Sequence, residues 1–540
     1  MGKKRRKRSA RKSQRYDSHQ RKGGSHSRSL GFVLREKLLR HLWLAKTPPT
    51  INHLVKELQL PRGAKSTLTP LLDDLLGQKI IRLAGRRGYE LNRQLLLCEG
   101  VFEQNPKGFG FINRLDCGGK KQTFSRDPML SASRVGSARQ GDRVLIHIYN
   151  VRRDGRPEAR LLTVLERQHK TLGGFVKLSK GHCDVTPEDP RFPFTIRIDG
   201  PCEGKMKNGD AVIVRLEEEN DHSPLLQGSI IEYLGDPEQI DVQMRLVIEK
   251  FNLPAVFSDE ALAESEHLST KIEPEDGRAD LRDIGHVTID GETAKDFDDA
   301  VAVIKTRKGY RLYVSIADVS HYVHPGSGLD EDAHQRGTSI YFPGRVIPML
   351  PEKLSNNLCS LVPGEDRFTV SAILDFDRQG NRLKKQFTKS IIHSHQRFTY
   401  TTVREILIDK NPEVRRAHKE FLTPLKWAEE LARQLTQKRR ERGSIGFTLP
   451  EPDIRLDEEG KIASITRAER NFAHQLIEEF MLAANEAVAE TFTEEKKKGL
   501  YRIHEKPNQE KIREFTAFGA GLGLQLPPLR QDPDWFGQVL

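Results

Sequence analysis

At 540 residues the chain exceeds what one hydrophobic core supports, and a prior of roughly 150 residues per domain implies about three or four domains. A composition of 36% hydrophobic and 30% charged residues, with no long apolar run, excludes a fibrous, largely disordered or membrane-spanning chain. The net charge of +12 is concentrated at one end: residues 1–28 carry twelve Lys and Arg against one acid, Asp17.

Residues 1–30 read as a disordered basic tail, a type of segment that adds salt-dependent affinity for RNA or a ribosome, or merely solubilises. No apolar signal-peptide core follows it. Five scattered cysteines form no C-x-x-C pair, which argues against a zinc ribbon, a redox motif or a disulfide framework and fits a reducing cytoplasm.

Residues 31–93 contain three amphipathic segments, GFVLREKLLRHLWLA, INHLVKELQL and KSTLTPLLDDLLGQ, and then the strand-like IIRLAGRRGYEL. That order predicts a winged helix-turn-helix with Arg82, Arg86 and Arg87 on the wing, serving either nucleic-acid or protein contacts.

From 96 to 167 the text predicts a first β-barrel. In EGVFEQNPKGFGFINRL, Phe109 and Phe111 lie two apart and share a strand face, with Lys107 at its start and glycines between. Exposed aromatics on a basic sheet stack unpaired bases, each stack worth roughly 1–3 kcal/mol. The string resembles the first RNA-binding motif of cold-shock domains; the second motif is weaker and offers only Phe124. Residues 168–235 echo this barrel through MKNGDAVIVRLEEE, with Phe175, Phe192 and Phe194 assigned to core. The fold class is therefore a winged helix, two OB-fold cold-shock-like β-barrels and an α/β domain over 236–540.

In LRDIGHVTIDGETAKDFDDAVAVI a short strand, a loop and a second apolar strand bring Asp290, Asp296, Asp298 and Asp299 to one junction. Two carboxylates about 4 Å apart repel by roughly 4 kcal/mol at an effective dielectric of about 20, and locally only Lys295 offsets four of them. A divalent cation relieves the conflict. Oxygen ligands without His or Cys suit Mg²⁺, with Mn²⁺ as an alternative, and the spacing is not that of a calcium loop. Phosphodiester hydrolysis is the chemistry such a site serves.

The string resembles the signature T-I-D-G-x-x-A-x-D-x-D-D-A of the ribonuclease II/ribonuclease R family. The likeness continues through RLYVSIADVSHYVHPG, SNNLCSLVPGEDR, HSHQRFTYTTV, AHQLIEEFMLAANEAVAE and YRIHEKP. The resemblance implies a 3′→5′ exoribonuclease that degrades RNA, structured RNA included, processively to nucleoside 5′-monophosphates, with Asp290, Asp296, Asp298 and Asp299 holding metal and water. It places Tyr341 and Phe447 around the terminal base. It implies single-stranded RNA 3′ ends, RNA-decay factors or the ribosome as partners, and a cytoplasmic monomer.

In the helix NFAHQLIEEFMLAANEAVAETF, Leu476, Phe480 and Ala484 have packing spacing, and Glu478 or Glu479 is a candidate to approach the site. The sequence stops at DPDWFGQVL, before the family's H-F-T-S-P-I-R-R-Y-x-D segment and S1 domain. The catalytic domain is therefore expected to be incomplete: a fragment, a frameshifted product or one piece of a longer enzyme. The rival reading is a non-catalytic RNA-binding protein; a DNA-binding regulator is a third.

Overall fold

The computed structural model describes residues 25–527 apart from 62, 64, 86, 119–123, 180–181, 199–205, 218–224, 274–276, 445–449 and 504–507. Most of the basic tail, Arg86, Phe447 and the HEKP of YRIHEKP lie outside the described residues. The chain divides into two compact units, to Leu253 and from Pro254.

The first unit opens with helices α1 (Ser25–Leu44), α2 (Ile51–Glu57) and α3 (Lys65–Gly77) and an antiparallel hairpin, β1 (Ile81–Ala84) with β2 (Gly88–Leu91). Thr50 starts α2, its hydroxyl accepting from the His53 amide. The leucines spaced along these helices, among them Leu38, Leu54, Leu68, Leu72 and Leu75, bury one shared face. Leu97, Leu145, Leu162 and Leu165 of the following barrel complete that cluster, so the helices pack on the barrel wall.

Strands β3 (Leu96–Gln104), β4 (Gly110–Asp116), β5 (Met129–Leu130), β6 (Arg143–Val151) and β7 (Pro157–Glu166) close a barrel in the order β3-β4-β5-β7-β6. Phe102, Ile112, Leu130, Val144 and Ile146 fill it. Gly110 must be glycine, because a Cβ there meets the Glu103 carbonyl and the Phe102 ring at 2.4 Å. The expectation of no disulfide is corrected: Cys98 and Cys117 are bonded. They are 19 apart in sequence, but the pairing of Glu99 with Asp116 across β3 and β4 sets them side by side.

A second barrel closes as β10-β12-β11-β8-β9, from β8 (Thr171–Ser179), β9 (His182–Pro187), β10 (Thr195–Ile198), β11 (Ala211–Leu216) and β12 (Leu225–Gly235). Phe192 and Phe194 belong to its core. Phe175 packs instead where α4 (Ile240–Lys250) lays Val242 and Leu246 on Ala211 and Ile213. A domain boundary at 236 is therefore displaced: α4 covers the second barrel and stays with the first unit.

The second unit begins with α5 (Asp259–His267), β13 (Ala279–Asp280), β14 (His286–Asp290), β15 (Asp299–Lys305) and β16 (Gly309–Ala317). Next come α6 (Val319–Tyr322), α7 (Gly328–Arg336), the hairpin β17 (Ile340–Phe342) with β18 (Arg345–Ile347), then β19 (Asp366–Asp377) and β20 (Arg382–Thr399). Then follow α8 (Tyr400–Leu407), α9 (Pro412–Ala417), α10 (Leu422–Glu441), the hairpin β21 (Pro452–Leu456) with β22 (Ile462–Arg467), α11 (Phe472–Glu494) and α12 (Gln509–Gly521).

The sheet runs β13-β20-β14-β15-β16-β19, and the long β20 also pairs with β19, so the sheet curls back on itself. Strand alternation separates its faces. Val287, Ile289, Val301, Val303, Leu312 and Val314 meet α8, α10 and α11, and Leu476, Phe480 and Ala484 are buried there as their helical spacing predicts. The other face buries a hydroxyl row, Ser315, Ser371, Ser390 and Thr369, that ends on His286. Among the described residues no helix is long and apolar enough to cross a membrane.

Candidate active site

Asp290 ends β14 and Asp299 begins its antiparallel neighbour β15, so the strand pairing itself sets these two carboxylates together. Asp296 and Asp298 come from the connecting loop, whose path is fixed from a distant segment. The Ser360 hydroxyl accepts from the Phe297 amide at 3.0 Å and donates to the Lys295 carbonyl at 2.8 Å. The Leu361 amide donates to the Phe297 carbonyl at 2.8 Å, and the buried Phe297 ring anchors the loop in the core. Ser360 follows a π-helical turn, Leu354–Leu358, that the Arg367 guanidinium ties down by donating to the carbonyls of Asn357 and Ser360.

Burial first, and then the charge of Asp299, pushes the Asp290 carboxyl up to about 7. Burial and Asp298 push Asp299 up to about 6, and desolvation with Asp296 raises Asp298. Oδ2 of Asp290 is buried and has no hydrogen-bond partner. Four acids thus sit in mutual conflict, one with an orphaned oxygen, and a hard cation satisfies both conditions. In this arrangement no group of three or more His, Cys, Asp or Glu side chains among the described residues is gathered to hold a metal ion. The acids stand near one another without converging on one point.

Lys295, the expected offset, is exposed, and the cation that acts on Asp290 is instead Arg397. Its guanidinium donates to the Gly291 carbonyl at 2.6 Å and the Glu292 carbonyl at 3.0 Å, holding the start of the loop. Tyr400 also borders the acids: burial, then Asp290 and Asp299, push its phenol up to about 12. Its ring stacks on His474 with centroids 3.8 Å apart, and His474 in turn belongs to the Asn471 capping box of α11. Sequence reasoning missed Ser360, Arg397, Tyr400 and His474. The only signal was that they lie inside the extended strings SNNLCSLV, HSHQRFTYTTV and AHQLIEEF.

Tyr341 is 65% exposed on the β17–β18 hairpin and donates its hydroxyl to Oδ2 of Asp296 at 2.8 Å, which pushes the phenol up to about 12. Glu479 is buried and accepts from Arg439 and Thr436, while Glu478 pairs with Arg470 and Arg439. Both are committed to structural ion pairs.

In the first barrel Phe109 and Phe111 stand edge to face, centroids 5.7 Å apart, both half-buried and outside the barrel core, with Lys107 exposed beside them. Arg156, from the β6–β7 turn, lies 5.2 Å over the Phe111 ring. That residue was not legible from sequence. Phe124 packs against the core. On the β1–β2 hairpin Arg82 pairs with Glu90, and Arg87 is exposed.

The RNB domain model matches residues 278–532, a ribonuclease B OB domain 100–164 and a cold shock domain 185–258, which defines the chain as an RNB-type protein with OB and cold-shock barrels. Ribonuclease R of Aquifex aeolicus is 33% identical over 511 residues, covering 94% of this chain and 71% of the relative. That of Escherichia coli is 35% identical over 501 residues, covering 91% and 60%. Ribonuclease R of Mycoplasma genitalium, solved in complex with ribose-methylated single-stranded RNA, superposes with a TM-score of 0.70 at 27% identity, covering 80% of this chain and 67% of that one. The chain belongs to the ribonuclease R family. It spans 60% to 71% of the length of these two curated relatives.

Proposed function

We propose that this chain carries the hydrolytic site of a 3′→5′ exoribonuclease, acting processively on single-stranded 3′ ends and into structured RNA, and releasing nucleoside 5′-monophosphates. One observation supports the reading above others: the Asp290 carboxyl is raised by burial and Asp299, the Asp299 carboxyl by burial and Asp298, and Oδ2 of Asp290 is unpartnered. Asp290, Asp296, Asp298 and Asp299 would hold Mg²⁺ or Mn²⁺, which when bound polarises a phosphoryl oxygen and acidifies water.

The remaining tasks fall to the chain's own groups. Asp298, the most exposed of the loop acids, faces the solvent from which water and RNA arrive. Arg397 and Ser360 hold the two ends of the acidic loop, so that the carboxylates need not reorganise as charge builds on phosphorus. The exposed Tyr341 ring offers a sequence-tolerant surface to the terminal base, with Phe447 as its counterpart. Lys107, Phe109 and Phe111 bind RNA on the first barrel, and the three helices with their hairpin act as a winged helix. A cytoplasmic monomer working with RNA-decay factors or the ribosome completes the reading, and the non-catalytic alternative is not favoured.

The test is a 3′-tailed RNA incubated with Mg²⁺ and products resolved by size, comparing the chain with Asp298→Asn. Mononucleotide release that Asp298→Asn and EDTA both abolish is expected. Binding without any cleavage by the chain would overturn the catalytic reading.

A further inference from the structure

The outer face of β6 and β7 carries a cationic and aromatic strip that the β4 aromatics do not account for. His147 and Arg160 are direct cross-strand partners, and the Tyr149 ring, at the bulge that β6 makes between Ile148 and Asn150, meets the His147 ring edge to face with centroids 6.5 Å apart. The Arg160 Nε donates to His147 Nδ1 at 3.2 Å. Nδ1 is therefore the acceptor, and the neutral ring carries its hydrogen on Nε2, a donor for an incoming anion. Arg35 of α1, on the helix that packs against β7, is half-buried and close enough to Arg160 to be repelled by it. At the other end Arg134 lies 4.3 Å over the Tyr149 ring, which stays 41% exposed.

Among the described residues Arg35, Arg134 and Arg160 make no ion pair, and the contacts of Arg160 and Arg134 are with His147 and the Tyr149 ring. The carboxylates that act on Arg35 and Arg134 also serve other groups: Glu36 accepts from Ser137, Asp74 from Gln78, and Glu158 from Asn150 and Arg152. Asp74 attracts Arg35 and Arg160 repels it, and an anion bridging the two guanidinium groups offsets that repulsion. A cationic pair with a donor imidazole, followed along the strand by an exposed aromatic under a guanidinium, suits a phosphate and then a base.

We propose that Arg35, His147 and Arg160 form a phosphate-binding seat and Tyr149 with Arg134 a base platform for single-stranded RNA. The strip is a second contact surface of the first barrel, at its seam with the helices. The inference rests on the RNA-binding part of the function proposed above and is independent of whether the chain cleaves.

The experiment measures fluorescence anisotropy of a labelled 20-nucleotide oligoadenylate in EDTA, across a series of salt concentrations. Arg35→Gln/Arg160→Gln is expected to weaken binding by about ten- to a hundredfold at low salt and to flatten the slope of log affinity against log salt by about 1.4. Arg35→Lys/Arg160→Lys keeps the slope, and Tyr149→Ala weakens binding without altering it. A folded double Gln variant that binds with the affinity and slope of an Arg416→Gln control overturns the proposal. A safeguard uses the unmodified chain with 4-thiouridine RNA. Crosslinks on the peptide bearing Tyr149 support the strip, and crosslinks confined to other peptides overturn it. Failure of the catalytic reading shows separately, as tight binding in EDTA with no cleavage in Mg²⁺.

Discussion

The hydroxyl of Ser360 closes a hydrogen bond with the amide of Phe297, 63 residues away in sequence, and this contact sets the height of the acidic loop over the sheet. The same oxygen donates to the Lys295 carbonyl, so one small side chain satisfies two backbone groups of a loop that has no regular structure of its own.

Ser360→Ala leaves both groups unpaired in a buried setting, at a cost of about 1–3 kcal/mol. Thermal unfolding should register that loss. Mn²⁺ affinity should also fall several-fold, because the loop acids lose their fixed position. A variant that lowers the melting temperature but binds Mn²⁺ as the parent does would show that Ser360 supports the core alone.

The hydroxyl row behind the sheet makes stability depend on pH. His286 Nδ1 donates to the Ile284 carbonyl at 3.1 Å, so Nε2 accepts from Ser315 at 3.0 Å. Ser315 in turn accepts from Ser371, Ser371 from Ser390 and Ser390 from Thr369. One tautomer thereby orients four hydroxyls. Burial pushes the imidazole down to about 4, with His395 adding to the effect. The unfolded chain takes up this proton near its ordinary value of about 6.5, whereas the folded chain resists until about 4. Stability from this group is therefore complete above pH 6.5 and declines as pH falls towards 4, by roughly 3 kcal/mol in all. Urea melts of the chain and of His286→Asn between those pH values should differ in slope. Parallel slopes would refute the assignment.

Tyr341 joins two roles that separate on substitution. Tyr341→Phe keeps the exposed ring and removes the bond to Asp296, and it should bind a 3′-tailed RNA as the parent does. Tyr341→Ala removes the ring and should weaken binding by the worth of one stack, about 1–3 kcal/mol. Equal affinity of Ala and Phe variants in a competition assay would exclude stacking at this position.

What the sequence made legible was local. The acids sit within ten residues, at a strand, loop and strand junction that the apolar pattern marks. The K-G-F-G-F-I string carries its own β alternation, and the second barrel repeats the turn of the first. Contributions from afar were not readable: Arg397, Tyr400 and His474 reach the acids through the register of β20 on β14 and the docking of α11. Single-residue offsets in register, invisible in composition, decide which side chain faces Asp290. The same limit hid the Cys98–Cys117 bond and the placement of Arg156 over Phe111.

A divalent-cation site on these aspartates is tested most simply by the thermal stability at pH 8 of the chain and of Asp290→Asn, each with and without Mn²⁺. Without the cation, Asn removes one charge from a crowded set and should melt higher than the parent. With Mn²⁺ at about a hundred times its dissociation constant the parent should gain roughly 2.7 kcal/mol, and the variant should gain far less, reversing their order. A parent that gains nothing from Mn²⁺, or a variant that melts lower than it in EDTA, would contradict a divalent-cation site built on these aspartates.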